Sequence, residues 1–195
     1  LFEEIIIVVF AYLIGSIPTG LLLVKAFSGV DIRETGSGNI GATNVYRTLG
    51  RKVGLLTLIG DCLKGVIPVV AAISLGLPDF WIAVVGLAAF LGHVYTVFLR
   101  FKGGKGVATA LGVFLAASPL SVPVVLVIFS LILYKWRYVS LASISAAACM
   151  PLLVTLIGKK PETVAMTIVI ALIVIYKHKE NIKRLRAGTE NRFRA

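Results

Sequence analysis

The stretch VATALGVFLAASPLSVPVVLVIFSLILY, residues 107–134, decides how many helices this chain lays across a bilayer. It is apolar throughout, but Ser118, Pro119, Ser121 and Pro123 interrupt it, and a proline in a helix interior removes a backbone hydrogen bond and breaks or kinks the helix. Read as two short crossings, 107–118 and 120–134, it joins apolar runs at 5–27, 54–76, 80–99, 138–158 and 162–177, taking about 20 residues per crossing as the guide. Five, six or seven spans are compatible with these runs, and seven is the expectation.

With 195 residues, 58% of them hydrophobic, 15% charged and a mean hydropathy of +0.96, the chain is too apolar for a soluble domain. The expected fold class is all-α: a polytopic membrane protein of about seven transmembrane helices in one domain over residues 1–195. Seven crossings would put Lys25, Arg33, Arg47, Arg51, Lys52, Arg100, Lys102, Lys105, Lys135, Arg137 and the seven tail cations from Lys177 to Arg194 on one side, 17 of the 20 basic residues. Lys159 and Lys160 would lie on the other, with Lys64 inside a span. Cytoplasmic loops carry the excess of Lys and Arg, so the N-terminus is expected outside and the C-terminus in the cytoplasm. The first apolar run lacks a basic leader and a clear cleavage pattern, so it is expected to stay as helix one. Cys62 and Cys149 are single thiols within spans, read as packing residues. The net charge of +11 is spread over membrane-flanking loops without interleaved aromatics. That argues against nucleic acid and for anionic lipid headgroups and anionic substrates.

Three polar segments stand out from this background. In GSGNIGATNVYR, residues 36–47, Gly36, Gly38 and Gly41 let backbone N–H groups converge, Ser37, Asn39, Thr43 and Asn44 add neutral donors, and Arg47 adds a permanent planar charge. Such a segment suits a phosphate at a bilayer surface; a plain turn between two spans would use the same residues. In RFKGGKGVAT, residues 100–109, Gly103, Gly104 and Gly106 surround Lys105 just before the next helix, a second place for an anion. The chain has no GxxxxGK[ST], so nucleotide hydrolysis is not supported, and Lys102 reads as a positive-inside anchor. HKENIKRL, residues 178–185, reads as a helix continuing out of the membrane. His178, Asn181, Ile182 and Leu185 share one of its faces, and Glu180 is within reach of Arg184. On the charge-derived topology all three segments face the cytoplasm, where they would converge on a site for two phosphate-bearing groups. Within the spans, Asp61 and Lys64 read as a structural ion pair supporting the first loop, and His93 as either a packing hydrogen-bonder or part of the site wall.

SGNIGATNVYR at 37–47, GGKGVAT at 103–109 and HKENIKRL at 178–185 resemble, in order, the three cytoplasmic motifs of the bacterial acyl-phosphate-dependent glycerol-3-phosphate acyltransferases, the PlsY family of small integral-membrane enzymes. The resemblance spans nearly the whole chain. It implies seven helices in the bacterial cytoplasmic (inner) membrane and a site facing the cytoplasm. The implied reaction is transfer of a fatty acyl group from long-chain acyl phosphate to the 1-hydroxyl of sn-glycerol 3-phosphate, giving lysophosphatidic acid and phosphate. It also implies Ser37 and Arg47 as polar site residues, Lys105 and its glycines as binders of glycerol 3-phosphate, and His178 and Asn181 as completing the site, with Glu180 more structural.

Acyl phosphate is a mixed anhydride with a good leaving group, so positioning and charge neutralisation are enough and no acyl-enzyme is required. Arg47, Lys105 and backbone N–H groups would offset the repulsion of two phosphates. None of the nine Asp and Glu residues lies in the first two segments, which would be odd for a metal site, and neither metal nor cofactor is expected. His178 is a general base, or else a ligand while the leaving phosphate takes the proton; Ser37 reads as a hydrogen-bonder in preference to a nucleophile. The competing reading is a transporter for phosphate or phosphorylated solutes, which would call for an internal repeat and a midplane site.

Overall fold

The computed structural model describes residues 1–193; Arg194, one of the tail cations counted above, and Ala195 lie outside the described residues. Ten α-helices run in order: α1 Phe2–Ser16, α2 Thr19–Ser28, α3 Ala42–Leu49, α4 Arg51–Ser74, α5 Asp79–Val94, α6 Val107–Ala117, α7 Ser121–Trp136, α8 Val139–Leu156, α9 Pro161–Lys177 and α10 Lys179–Arg186. Short 3-10 turns occupy Ile32–Glu34 and Val97–Leu99.

The expected seven crossings are corrected by helix length. Among the described residues four helices are long and apolar enough to cross a bilayer: Phe2–Ser28, in which α1 and α2 are one run interrupted at Pro18, then Arg51–Ser74, Asp79–Leu99 and Val139–Leu156. A fifth is reached only if α9 and α10, bent by 56° at His178, count as one span. At about 1.5 Å of rise per residue, the 11 residues of α6 extend roughly 16 Å and the 16 of α7 roughly 24 Å, against a hydrocarbon core of about 30 Å. Ser118 and Pro119 end α6, and Ser118 Oγ closes on Ser121 Oγ at 2.6 Å across the break. With the seven-span count falls the side assigned to each terminus, which rested on it.

The chain forms two compact units, one over Leu1–Ala117 and one from Ser118 onward. In the first, α1 packs on α5 and α4 on α6. Both pairs approach closely because glycines face backbone. A Cβ on Gly15 would overlap the carbonyl of Ala89, one on Gly92 that of Tyr12, one on Gly65 that of Thr109 and one on Gly112 that of Cys62. The break in α1 is satisfied from neighbouring helices, since Thr96 Oγ1 donates to Ser16 O at 2.6 Å and Lys64 Nζ to Ile17 O at 2.7 Å. Large apolar side chains of α4, including Leu55, Ile59, Leu63 and Ile67, point outward, as lipid-facing residues must. In the second unit α7 packs on α8, α8 on α9, and α10 on both α8 and α9. Cys62 and Cys149 are free thiols, partly buried.

Candidate active site

The first polar segment is a loop built around one amide. Asn44, 3% exposed on the first turn of α3, accepts the Ser37 N–H on Oδ1 at 2.9 Å; its Nδ2 donates to Asn39 O at 2.9 Å, Thr35 O at 3.1 Å and Ile32 O at 3.4 Å. This network folds 32–44 over the buried cluster of Leu21, Val24, Ile32, Ile40, Val45 and Val53. Gly36 and Gly38 have φ of +58° and +69°, and a Cβ on Gly36 would overlap Asn44 Oδ1. Asn39 Oδ1 accepts the Gly41 N–H at 2.8 Å. Gly41 has no side chain to cap α3, so the first-turn N–H groups of Ala42 and Thr43 carry no hydrogen bond among the described residues. Ser37 and Arg47 are exposed and Thr43 is half-buried. Asp31, the acid just before this loop, is occupied: the Arg33 guanidinium and its N–H bind the carboxylate and hold it at about 2, well below the usual carboxylate range.

The second segment lies on the end of α5. Gly103 N–H donates to Val94 O at 3.2 Å and Gly104 N–H to His93 O at 3.1 Å. A Cβ on Gly103 would overlap the His93 carbonyl, one on Gly104 the His93 ring, and one on Gly106, whose φ is +81°, the ring of Phe90. These glycines therefore serve close packing as well as any ligand. Leu99, one residue before the segment, packs against the cluster beneath the first loop, so the structure brings these two segments to one end of the unit. Lys105 is half-buried.

The third segment belongs to the second unit and, contrary to expectation, its helix α10 does not continue straight from the apolar helix before it but bends away by 56°. His178 ends α9 and begins α10, and its Nδ1 lies 2.7 Å from Val174 O. A carbonyl can only accept, so Nδ1 carries the hydrogen and, in the neutral ring, Nε2 carries the lone pair. His178 and Asn181 are 3% and 7% exposed. Arg184 pairs with Glu190 at 2.7 Å, and Glu180 pairs with Lys183 at 3.2 Å.

A family model described as glycerol-3-phosphate acyltransferase matches residues 5–188, the three segments included. The chain belongs to the glycerol-3-phosphate acyltransferase family. It is 70% identical over 192 residues to the glycerol-3-phosphate acyltransferase of Geotalea daltonii, covering 98% of each chain, and 67% identical over 193 residues to that of Geobacter sulfurreducens, covering 99% of each. Among solved structures it is similar to the crystal structure of PlsY (YgiH), an integral membrane glycerol 3-phosphate acyltransferase, in its glycerol 3-phosphate form, with a TM-score of 0.94 at 47% identity over 98% of this chain and 96% of that one. The lysophosphatidic acid form of PlsY gives 0.90 over the same shares.

One residue beside this family's third motif escaped the sequence reading. Glu190 accepts from Asn181 Nδ2, Ser140 Oγ and Arg184 Nε, each at 2.7 Å, and its side chain is 6% exposed. Burial raises its carboxyl, but the three donors outweigh that and hold it below the usual range. Nine residues beyond Asn181 and past the end of α10, Glu190 matches no spacing rule; only the return of the tail, with Phe193 N–H on Arg137 O at 2.6 Å, brings it there. Among the described residues no group of three His, Cys, Asp or Glu is placed to hold a metal ion.

Proposed function

We propose that this chain transfers a fatty acyl group from acyl phosphate to the 1-hydroxyl of sn-glycerol 3-phosphate, giving lysophosphatidic acid and inorganic phosphate, the first step of phospholipid synthesis. One observation carries it: close likeness over 98% of the chain to PlsY in two forms, one with the acceptor and one with the product. The match through residues 5–188 runs across both compact units and supports reading 1–195 as one acyltransferase domain. It is a multi-pass protein of the bacterial inner membrane.

The roles of the side chains follow from the chemistry. Arg47 and Lys105, with the Ala42 and Thr43 N–H groups at the start of α3, neutralise the two phosphates. Asn44 acts chiefly by holding the loop from which Ser37 presents its hydroxyl. The 1-hydroxyl oxygen attacks the acyl carbon, the bond from that carbon to the phosphate oxygen breaks, and the proton leaves with the phosphate, whose oxygens are basic enough to take it. His178 Nε2 and Asn181 orient the hydroxyl.

Two span-length helices, α4 and the Asp79–Leu99 run, separate the first loop from the second, which supports their sharing one membrane face. The first and second loops with their flanks carry Lys25, Arg33, Arg47, Arg51, Lys52, Arg100, Lys102 and Lys105, whereas the connection at 75–78 carries no cation. By the positive-inside rule that face is cytoplasmic.

The test is lysophosphatidic acid formation by purified protein in lipid, from glycerol 3-phosphate and palmitoyl phosphate, with chelator present. Product is expected from the wild type and a loss of at least about a hundredfold from Arg47→Ala, the scale of a removed transition-state charge partner. No product from folded wild-type protein would overturn the assignment.

A further inference from the structure

Three ionisable side chains lie inside the first unit, and the chemistry above uses none of them. Asp61 and Lys64 stand one turn apart on α4 and pair at 2.9 Å. His93, on the last turn of α5, faces the same Asp61 oxygen through Nδ1 at 3.6 Å. Their exposures are 2%, 4% and 3%. Ionisable groups at such depth are costly and mark function more often than packing. Lys64 has a structural duty, holding the Ile17 carbonyl at the α1 break, and it balances Asp61. His93 needs a separate account.

What lies on the other side of His93 supplies one. Its imidazole edge meets Gly104 so closely that a Cβ there would overlap Nε2 and come within 3.0 Å of Cε1 and 3.1 Å of Cδ2. Its own carbonyl accepts the Gly104 N–H, and the next carbonyl, of Val94, accepts that of Gly103. The loop that presents Lys105 therefore rests on the His93 ring and on the carbonyls of His93 and Val94, and the ring is approached from its other side by the Asp61 carboxylate. We propose that His93, oriented by the Asp61–Lys64 pair, is a positioning residue that seats the Gly103–Gly106 loop for the phosphate of glycerol 3-phosphate. This rests on the reading that the loop binds that phosphate. A misplacement of about 1 Å in such a loop is enough for a hundredfold loss.

The experiment measures KM for each substrate, and calorimetric binding of glycerol 3-phosphate alone, for detergent-purified protein with melting as the folding control. His93→Phe keeps the bulk of the ring and removes the link to Asp61. It is expected to raise KM and the dissociation constant for glycerol 3-phosphate about tenfold and to leave KM for acyl phosphate within about twofold, as a displaced phosphate seat requires. Gly104→Ala is expected to be worse, and His93→Ala/Gly104→Ala to recover about tenfold over Gly104→Ala, because removing the ring makes room for the methyl. General destabilisation would produce neither the split between substrates nor the recovery. Wild-type values in His93→Phe, or a double variant no better than Gly104→Ala, would overturn the inference, and the second comparison decides alone if His93→Phe does not fold. Lys105→Ala separates the premises: unchanged glycerol 3-phosphate binding there sinks the loop reading itself, whereas weakened binding there with an unaffected His93→Phe sinks only the role of His93.

Discussion

Asn44 shows how far a residue type can be read without its neighbours. An asparagine in a glycine-rich loop is a plausible donor to an anion, but here the amide is spent on three carbonyls and one N–H of its own loop. Asn44→Asp is therefore predicted to be worse than Asn44→Ala, although it is isosteric, because it turns an oxygen toward Ile32, Thr35 and Asn39 carbonyls. Ala should cost about 1–3 kcal/mol and Asp more, read as melting temperature in detergent. An Asp variant as stable as wild type would contradict the network. Glu190 makes a second prediction. Its folded-state carboxyl lies below its unfolded value, so its contribution is complete above the unfolded value near 4.5 and is lost as pH falls through the folded one. Acid melting curves of Glu190→Gln should lack that loss. At neutral pH Glu190→Ala should lower kcat several-fold through Asn181, a modest effect because Asn181 itself remains.

Among the elements, the breaks carry more information than the helices. Proline and serine made the α6–α7 break legible, and Pro18 marks the one between α1 and α2, which the apolar run had concealed. The break at His178 was not legible: its neighbours suit a helix, and the 56° bend appears where an apolar helix gives way to a cationic one that packs on α8 and α9. Close helix approach is the other element-scale feature. Gly112→Val would drive a side chain into the Cys62 carbonyl and is predicted to destabilise by about 1–3 kcal/mol. Gly158→Ala, with nothing within 4 Å, would meet only the strain of φ +74° and cost about 1 kcal/mol or less. Thermal unfolding of the two variants side by side tests the contrast.

For the whole molecule, the placement of loops is the accessible question. With Cys62 and Cys149 replaced, a cysteine at Thr35 or Lys102 should react with an impermeant maleimide only in inverted membrane vesicles, and one at Leu77 only from outside the cell; a common side for all three would refute the assignment of that face. The sequence by itself determined that the chain is helical and membrane-embedded, where four of its spans lie to within about three residues, and which three segments carry the family resemblance. Those are properties of composition, run length and short motifs, all local along the chain. Tertiary structure alone decided that Asn44 spends its amide on the loop, that the chain bends at His178, that His93 underlies Gly104, and that Glu190 returns to Asn181. Each of these depends on groups distant in sequence or on where a helix stops, and a buried polar group takes whichever partner packing brings within reach.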